Sequence, residues 1–301
     1  MSDSFALVQY GARAMAALML CAALSPLCAI ANPAAQPGDS IHASADLLDT
    51  AIPGRSGLTW GAALKLMLPD VHPGTDDSIE ATILAQARRL DSTDEVAADG
   101  ALHPTWLSAQ DVTEAGRARL LVFAEVDQSL SNRPGSALLA LIDPAPQPRL
   151  LDLLDVGEDR SNFLETDPAL KIGAHSDLVM ISGSHTNSSE EYVIRQALFV
   201  DHDHFTTVAS VFLRSSKFCG YERTQAATFA TRPKPGAAFA SLDVTVTEHA
   251  KRVAEDCEPP PRAKGGVTIW RATFDWNPPK RAFTTQSRAL DALATHNEKD
   301  P

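Results

Sequence analysis

The chain has 301 residues, a formal net charge of −12 and 44% hydrophobic residues. That is enough apolar material to bury a substantial core. The acidic balance argues against nucleic acid and against anionic membrane surfaces as partners. The acidity is concentrated in residues 32–170, while residues 171–301 are close to neutral.

The first 31 residues read as a cleavable signal peptide. An apolar run from Ala14 to Ile30 is too short for a span, carries Pro26, and ends in the small-residue pattern Ala29-Ile30-Ala31. Leu20 before Cys21 and Leu27 before Cys28 are too bulky for a lipoprotein site. No later stretch is long or apolar enough to cross a bilayer as a helix, so a periplasmic or secreted location is expected with no transmembrane segment after cleavage. Residues 32–45, with Pro33, Pro37 and Gly38, read as a flexible leader. Cys219 and Cys257 then remain as an even pair in an oxidising compartment, and a disulfide between them is the default reading over two free thiols or a metal pair.

Residues 46–110 read as a helical cap. A short helical turn is expected near Ala45 to Ala51. Thr59 is placed to cap a helix that puts Trp60, Leu64 and Met67 on one face and stops at Pro69. Asp77 followed by Glu80 resembles a capping box before Ile79, Ile83, Leu84, Ala87 and Leu90, which predicts a further helix, with a strand as the alternative because Ile and Thr weaken it. Residues 91–100 are acidic and loop-like.

From about Arg117, within a repeated β domain expected over residues 111–301, the period changes from helical to alternating. Three copies of one unit follow: a strand (118–126, 178–182, 239–247), a loop, a second strand (137–142, 192–200, 267–274), a turn with Asp or Pro (143–148, 201–204, 275–280) and a third strand (149–154, 205–213, 281–286). The copies are spaced by about 55–75 residues, within the range of repeated supersecondary units. Strand 137–142 is apolar on both sides and belongs in a sheet interior. The fold expected is mainly β: repeated antiparallel three-strand meanders forming a curved sheet, a sandwich or a partial propeller-like array, with short N-terminal helices. Residues 157–167 and 248–266 read as charged loops, and Ser287 as the cap of a last short helix.

Four features carry chemical interest. Asp201-His202-Asp203-His204 offers two carboxylates and two imidazoles, a donor set suited to Zn, Mn or Fe. Its repeat equivalents are turns without histidine, so the turn reading is favoured. Ser182-Gly183-Ser184-His185 invites a hydrolase reading but lacks the second glycine of a nucleophile elbow. Trp270 and Trp276 share a strand face with Phe274 and read as a core strip rather than a sugar platform. Residues 214–234 carry Arg214, Lys217 and Arg223 around Cys219 and Tyr221. These basic loops are the candidate site for an anionic group on a protein, peptide or glycan. Asn187-Ser188-Ser189 matches a glycosylation acceptor. The sequence has no P-loop, dinucleotide fingerprint, Cys-x-x-Cys or His-Glu-x-x-His, so no cofactor is expected. The function expected is a non-enzymatic binding or interaction protein. The competing reading is a secreted hydrolase, metal-dependent if residues 201–204 hold a metal.

Overall fold

In the first part of the chain, apolar residues are gathered by short elements. The computed structural model describes residues 40–90, 95–96, 100–126, 136–158, 160–253 and 265–299, all within one compact unit. The expected signal peptide, most of the leader and Cys257 lie outside the described residues. In order come β1 (Ile41–His42), a 3-10 turn (Ala45–Asp49), β2 (Ala51–Ile52), β3 (Arg55–Thr59) and α1 (Trp60–Met67). Thr59 caps α1 as its sequence predicts, its Oγ1 accepting from Ala62 N at 3.1 Å. Trp60, Ala63, Leu64 and Met67 are buried along one side of the helix. The helix predicted near 79–90 is absent. That segment forms β5 (Ile79–Glu80) and β6 (Ala87–Arg89), after β4 (His72–Pro73) and before β7 (Glu95–Val96). Ile79 and Ala87 are buried among the residues of the same core as α1, so packing against a sheet decides their conformation over a local capping pattern.

The remaining strands are long and mostly antiparallel. They are β8 (Pro104–Glu114), β9 (Arg117–Val126), β10 (Ser136–Asp143), β11 (Arg149–Asp155), β12 (Ser161–Gly173), β13 (Ser176–Thr186), β14 (Glu190–Asp201), β15 (His204–Phe218), β16 (Tyr221–Arg232), β17 (Ser241–Arg252), β18 (Gly266–Asn277) and β19 (Ala282–Thr284), and α2 (Ala289–Lys299) closes the chain. One large sheet has the order β1-β8-β9-β10-β11-β6-β7, the other large sheet runs β12 to β19 in sequence, and β2–β3 and β4–β5 form two small pairs. Neither large sheet is a closed barrel. The three predicted strand–loop–strand–turn–strand copies are β9–β11, β13–β15 and β17–β19. Each copy has a fourth strand in front, β8, β12 and β16, in segments whose sequence predicts cap or loop.

Three apolar clusters follow from the period-two alternation of these strands. Leu120, Val122, Ala124, Leu138, Ala140 and Ile142 face α1. Their sequence neighbours Leu121, Phe123, Leu139 and Leu141 face the other sheet, meeting Val179, Ile181, Leu198 and Val200. The two sheets therefore stack face to face, and β10 is buried on both sides, as its apolar run requires. The far face of the second sheet curls over a third cluster that includes Met180, Phe199, Val244, Ala272 and Leu293 of α2. The curl brings β12 back toward the start of β17: Ala240 N donates to Ile172 O at 2.6 Å. Gly173 permits the approach, because a Cβ there would lie 3.1 Å from the Phe239 ring. Phe239, Phe199, Trp276 and Phe283 pack mostly edge to face inside the curl, with centroids 5.0–6.1 Å apart. Trp270 packs on His296 and borders the same cluster. Both tryptophans thus belong to a core strip.

Candidate functional site

The hairpin β15–β16 turns at Cys219-Gly220, where Gly220 adopts a φ of 68° that favours glycine. The two strands pair only from Ser216↔Arg223 to Phe218↔Tyr221 and then diverge. Strands that diverge leave main-chain groups without ladder partners, and side chains must replace them. Gln225 does so: its Oε1 accepts from Arg214 N (2.9 Å) and its own N–H donates to Ser215 Oγ (3.2 Å). Asn297 of α2, only 1% exposed, fills the rest of the gap. Its Nδ2 donates to Phe212 O (3.0 Å) and Gln225 Oε1 (3.1 Å), and its Oδ1 accepts from Gln225 Nε2 (2.7 Å). Gln225 Nε2 also donates to Glu248 Oε2 (2.8 Å), which His296 Nε2 meets at 2.9 Å.

Outside this gap the neighbouring turn completes a groove. Asn187 Oδ1 accepts from Ser189 N (3.1 Å) and Glu190 N (2.8 Å), which sets the β13–β14 turn. Lys217 N then ties that turn to β15 through Ser189 O at 2.8 Å. Between the turn and the β15–β16 hairpin lies a groove of ≈230 Å³. Its lining is rich in hydroxyl and amide groups, such as Asn187, Ser188, Ser215 and Thr224, with Lys217, Arg223 and Glu222 adding both signs of charge.

The four predicted binding residues do not act alike. Lys217 is exposed and lines the groove. Arg223 also lines it but is 1% exposed, its Nε 3.9 Å from Glu248 Oε2. Arg214 is committed elsewhere: it pairs with Glu190, donates to Asn297 O (2.8 Å) and lies over the Tyr192 ring. Hydrogen bonds from Tyr192 and Arg214 hold the Glu190 carboxyl below its ordinary range, and the same contact raises the Tyr192 phenol. Tyr221 is buried. The region expected as basic loops is therefore two strands and a tight hairpin. Ser188 and Ser189 stand out in sequence only within the Asn187-Ser188-Ser189 acceptor, no local motif marks Thr186 or Thr224, and strand pairing brings the four together.

Residues 201–204 form the tight turn between β14 and β15, with Asp201 paired to His204 across it. His202 and Asp203 both have positive φ, 52° and 65°, as a two-residue hairpin of this twist demands. Neither is glycine, and side-chain contacts anchor the turn. Arg281 pairs with Asp201 (2.6 Å) and contacts the His202 ring. Arg119, 5% exposed, donates to Asp203 Oδ1 (2.6 Å) and to Glu114 Oε2 (3.0 Å). Burial raises the Asp203 carboxyl, but the hydrogen bond and charge of Arg119 outweigh it and leave it lowered. Asp201 is lowered in the same way, with Arg281 prevailing over burial. Asp201 and His202 meet each other (2.8 Å) and share Arg281, Asp203 goes to Arg119 and His204 faces Asp152 (3.7 Å), and no three His, Cys, Asp or Glu among the described residues are placed to hold a metal ion. Ser182, Gly183, Ser184 and His185 lie within β13, where Ser182 bonds Glu165 and His185 packs against Tyr192.

Fold and site together define a mainly antiparallel β-protein with a shallow groove, formed by polar residue types, at one end of its second large sheet. Comparison with protein families, with curated proteins and with solved structures gave no match.

Proposed function

We propose that this is a periplasmic or secreted binding protein without catalytic activity, and that the groove between the β13–β14 turn and the β15–β16 hairpin receives a polar part of a protein, peptide or glycan. The observation that carries this reading is the groove itself: ≈230 Å³, shallow and open, formed by hydroxyl- and amide-bearing residues whose exposed surface is largely carbon, with Lys217 and Glu222 beside it. That volume is smaller than a pocket that engulfs a drug-sized molecule. It suits one side chain or one terminal residue of a larger ligand. Two of its three acids are engaged, Glu190 by Arg214 and Glu222 by Lys251 (3.2 Å), and hold shape, while Glu191 also lines the groove.

The same reading pairs Cys219 with Cys257. Val253 N donates to Gly220 O at 2.9 Å, so the chain leaves β17 beside Cys219. Cys257 is four residues further on, within about 14 Å of extended chain. A bond there would fix the hairpin that forms one wall of the groove, and it suits an oxidising compartment.

The test is a screen of glycan and peptide arrays with wild type, Ser188→Trp and Lys217→Glu, all checked for folding by circular dichroism. Ligands of the wild type should bind Ser188→Trp, which fills the groove, at least about tenfold more weakly. Equal binding by the filled groove would remove the site from consideration. Turnover of ester, glycoside or peptide substrates that is lost in Ser184→Ala or on metal removal would establish the hydrolase instead.

A further inference from the structure

The outer edge of β18 is open. β18 pairs with β17 from Leu242↔Phe274 to Ala250↔Gly266 without a register shift, but with β19 only at residues 275–277. Among the described residues no strand lies on its other side over 266–274. Ser287 Oγ donates to Arg271 O at 2.9 Å, which shows that this carbonyl points away from β17. Within a strand, the N–H and C=O of one residue point to the same side, and successive residues alternate. Val267, Ile269 and Arg271 therefore all turn their main-chain groups outward.

Their side chains also share one face, opposite Trp270 and Phe274, which pack toward the inner core. Val267 is 60% exposed and Ile269 43%. Arg271 is exposed, and its guanidinium has no partner among the described residues. Open edges are ordinarily guarded by lysine, proline or a bulge. The run Gly-Val-Thr-Ile-Trp at 266–270 has none of these. Residues 266–271 combine ladder groups of Val267 and Ile269 with no strand partner among the described residues, the exposed Val267 and Ile269 side chains on one face, and the Arg271 cation beside them.

We propose that this edge captures an extended peptide strand of another protein, with β-branched residues at two alternate positions and an acidic residue two further along, opposite Arg271. The ladder groups of Val267 and Ile269 supply the main-chain recognition, and alternate side chains supply the specificity. A second copy of this chain fits less well. Antiparallel self-pairing about Ile269 would set Arg271 opposite the other copy's valine with no carboxylate for either cation. It would also join only about five residues a side, short of the roughly 1,200 Å² that stable interfaces bury. This surface is independent of the groove.

The experiment uses the full mature chain and a fluorescein-labelled peptide containing Glu-Thr-Ile-Thr-Val, the antiparallel complement, in an anisotropy titration. Saturable binding is expected. Ile269→Lys should weaken it at least about tenfold. Val267→Pro, which deletes an outward N–H and spares the β17 ladder, should also weaken it. Arg271→Glu should lose binding and recover it with Lys-Thr-Ile-Thr-Val, a charge exchange that a folding defect does not reproduce. Ser188→Trp should bind the peptide like wild type, which separates this edge from the groove. Four results would each overturn the proposal: no saturation by about 1 mM, equal binding of a scrambled peptide, indifference to Ile269→Lys, or a dimer in sedimentation that Ile269→Lys abolishes.

Discussion

Replacing Asn297 with leucine tests whether α2 is a structural plug rather than a loosely attached tail. The side chain is nearly isosteric and fully apolar. It removes the donors to Phe212 O and Gln225 Oε1 and the acceptor for Gln225 Nε2. Gln225 keeps its bonds to Arg214 N and Glu248 Oε2, so the amide is half satisfied afterwards. Three buried hydrogen bonds at about 1 kcal/mol each, with some added cost for the groups left unmatched and some relief from leucine burial, give roughly 2–4 kcal/mol. For a domain of this size that is a fall in Tm of about 5–15 °C. Urea unfolding followed by tryptophan fluorescence is the assay, since Trp270 packs on His296 one residue away. The control is Glu298→Ala, exposed on the same turn of helix, which should change stability by no more than about 0.5 kcal/mol. A loss below about 1 kcal/mol for Asn297→Leu would refute the plug and leave the divergence of β15 and β16 to other contacts.

Two further outcomes follow from the same packing. Asp203 and Asp201 have lowered folded-state pKa values, so each stabilises the fold above the unfolded carboxylate range near 3.9 and loses that effect as pH falls through its folded value. Asp203→Asn should therefore lower the urea midpoint at pH 7, and its gap from wild type should close toward about pH 2–3; a gap that stays constant with pH would show that Arg119 is not the cause. Denatured mature protein should titrate no free thiol with Ellman's reagent, and Cys219→Ser should cost about 3–4 kcal/mol, the chain-entropy value for a loop of about 39 residues. Two titratable thiols in the mature chain would dismiss the disulfide.

How far the fold was legible depends on which face of each strand is wet. β9, β10, β13, β14 and β17 alternate cleanly or are apolar throughout, and the three-copy pattern emerges from them directly. β16 was hidden because its inward positions are Arg223, Gln225 and Ala227 rather than valine or leucine. These polar residues are buried because the neighbouring strand has parted from β16 and Asn297, seventy-two residues away, takes its place. Periodicity registers apolar burial only, so a strand that buries hydrogen bonds reads as a charged loop. β12 was hidden in a similar way, since the Asn162 side chain accepts from Glu158 N and the Glu165 carboxylate meets Arg195 instead of packing with apolar groups. The helix predicted near 79–90 fails for the opposite reason: a plausible local cap is overridden by the apolar cluster beneath the first sheet.

The groove illustrates the same limit. Lys217 and Arg223 were singled out by charge, yet charge does not distinguish them from Arg214, which a carboxylate on β14 occupies. What separates the three is the pairing partner each strand position acquires, and that is a property of the sheet. The open edge of β18 is the converse case. Val267, Ile269 and Arg271 look like an ordinary half-wet strand in sequence, and the shortness of β19 leaves the ladder groups of Val267 and Ile269 outward and without a strand partner among the described residues, while Ser287 takes the Arg271 carbonyl. A surface built from missing neighbours has no motif of its own. For this chain, therefore, mutations that change pairing at the ends of β15, β16 and β18 should report on function more sharply than substitutions at any of its conspicuous histidine and serine clusters.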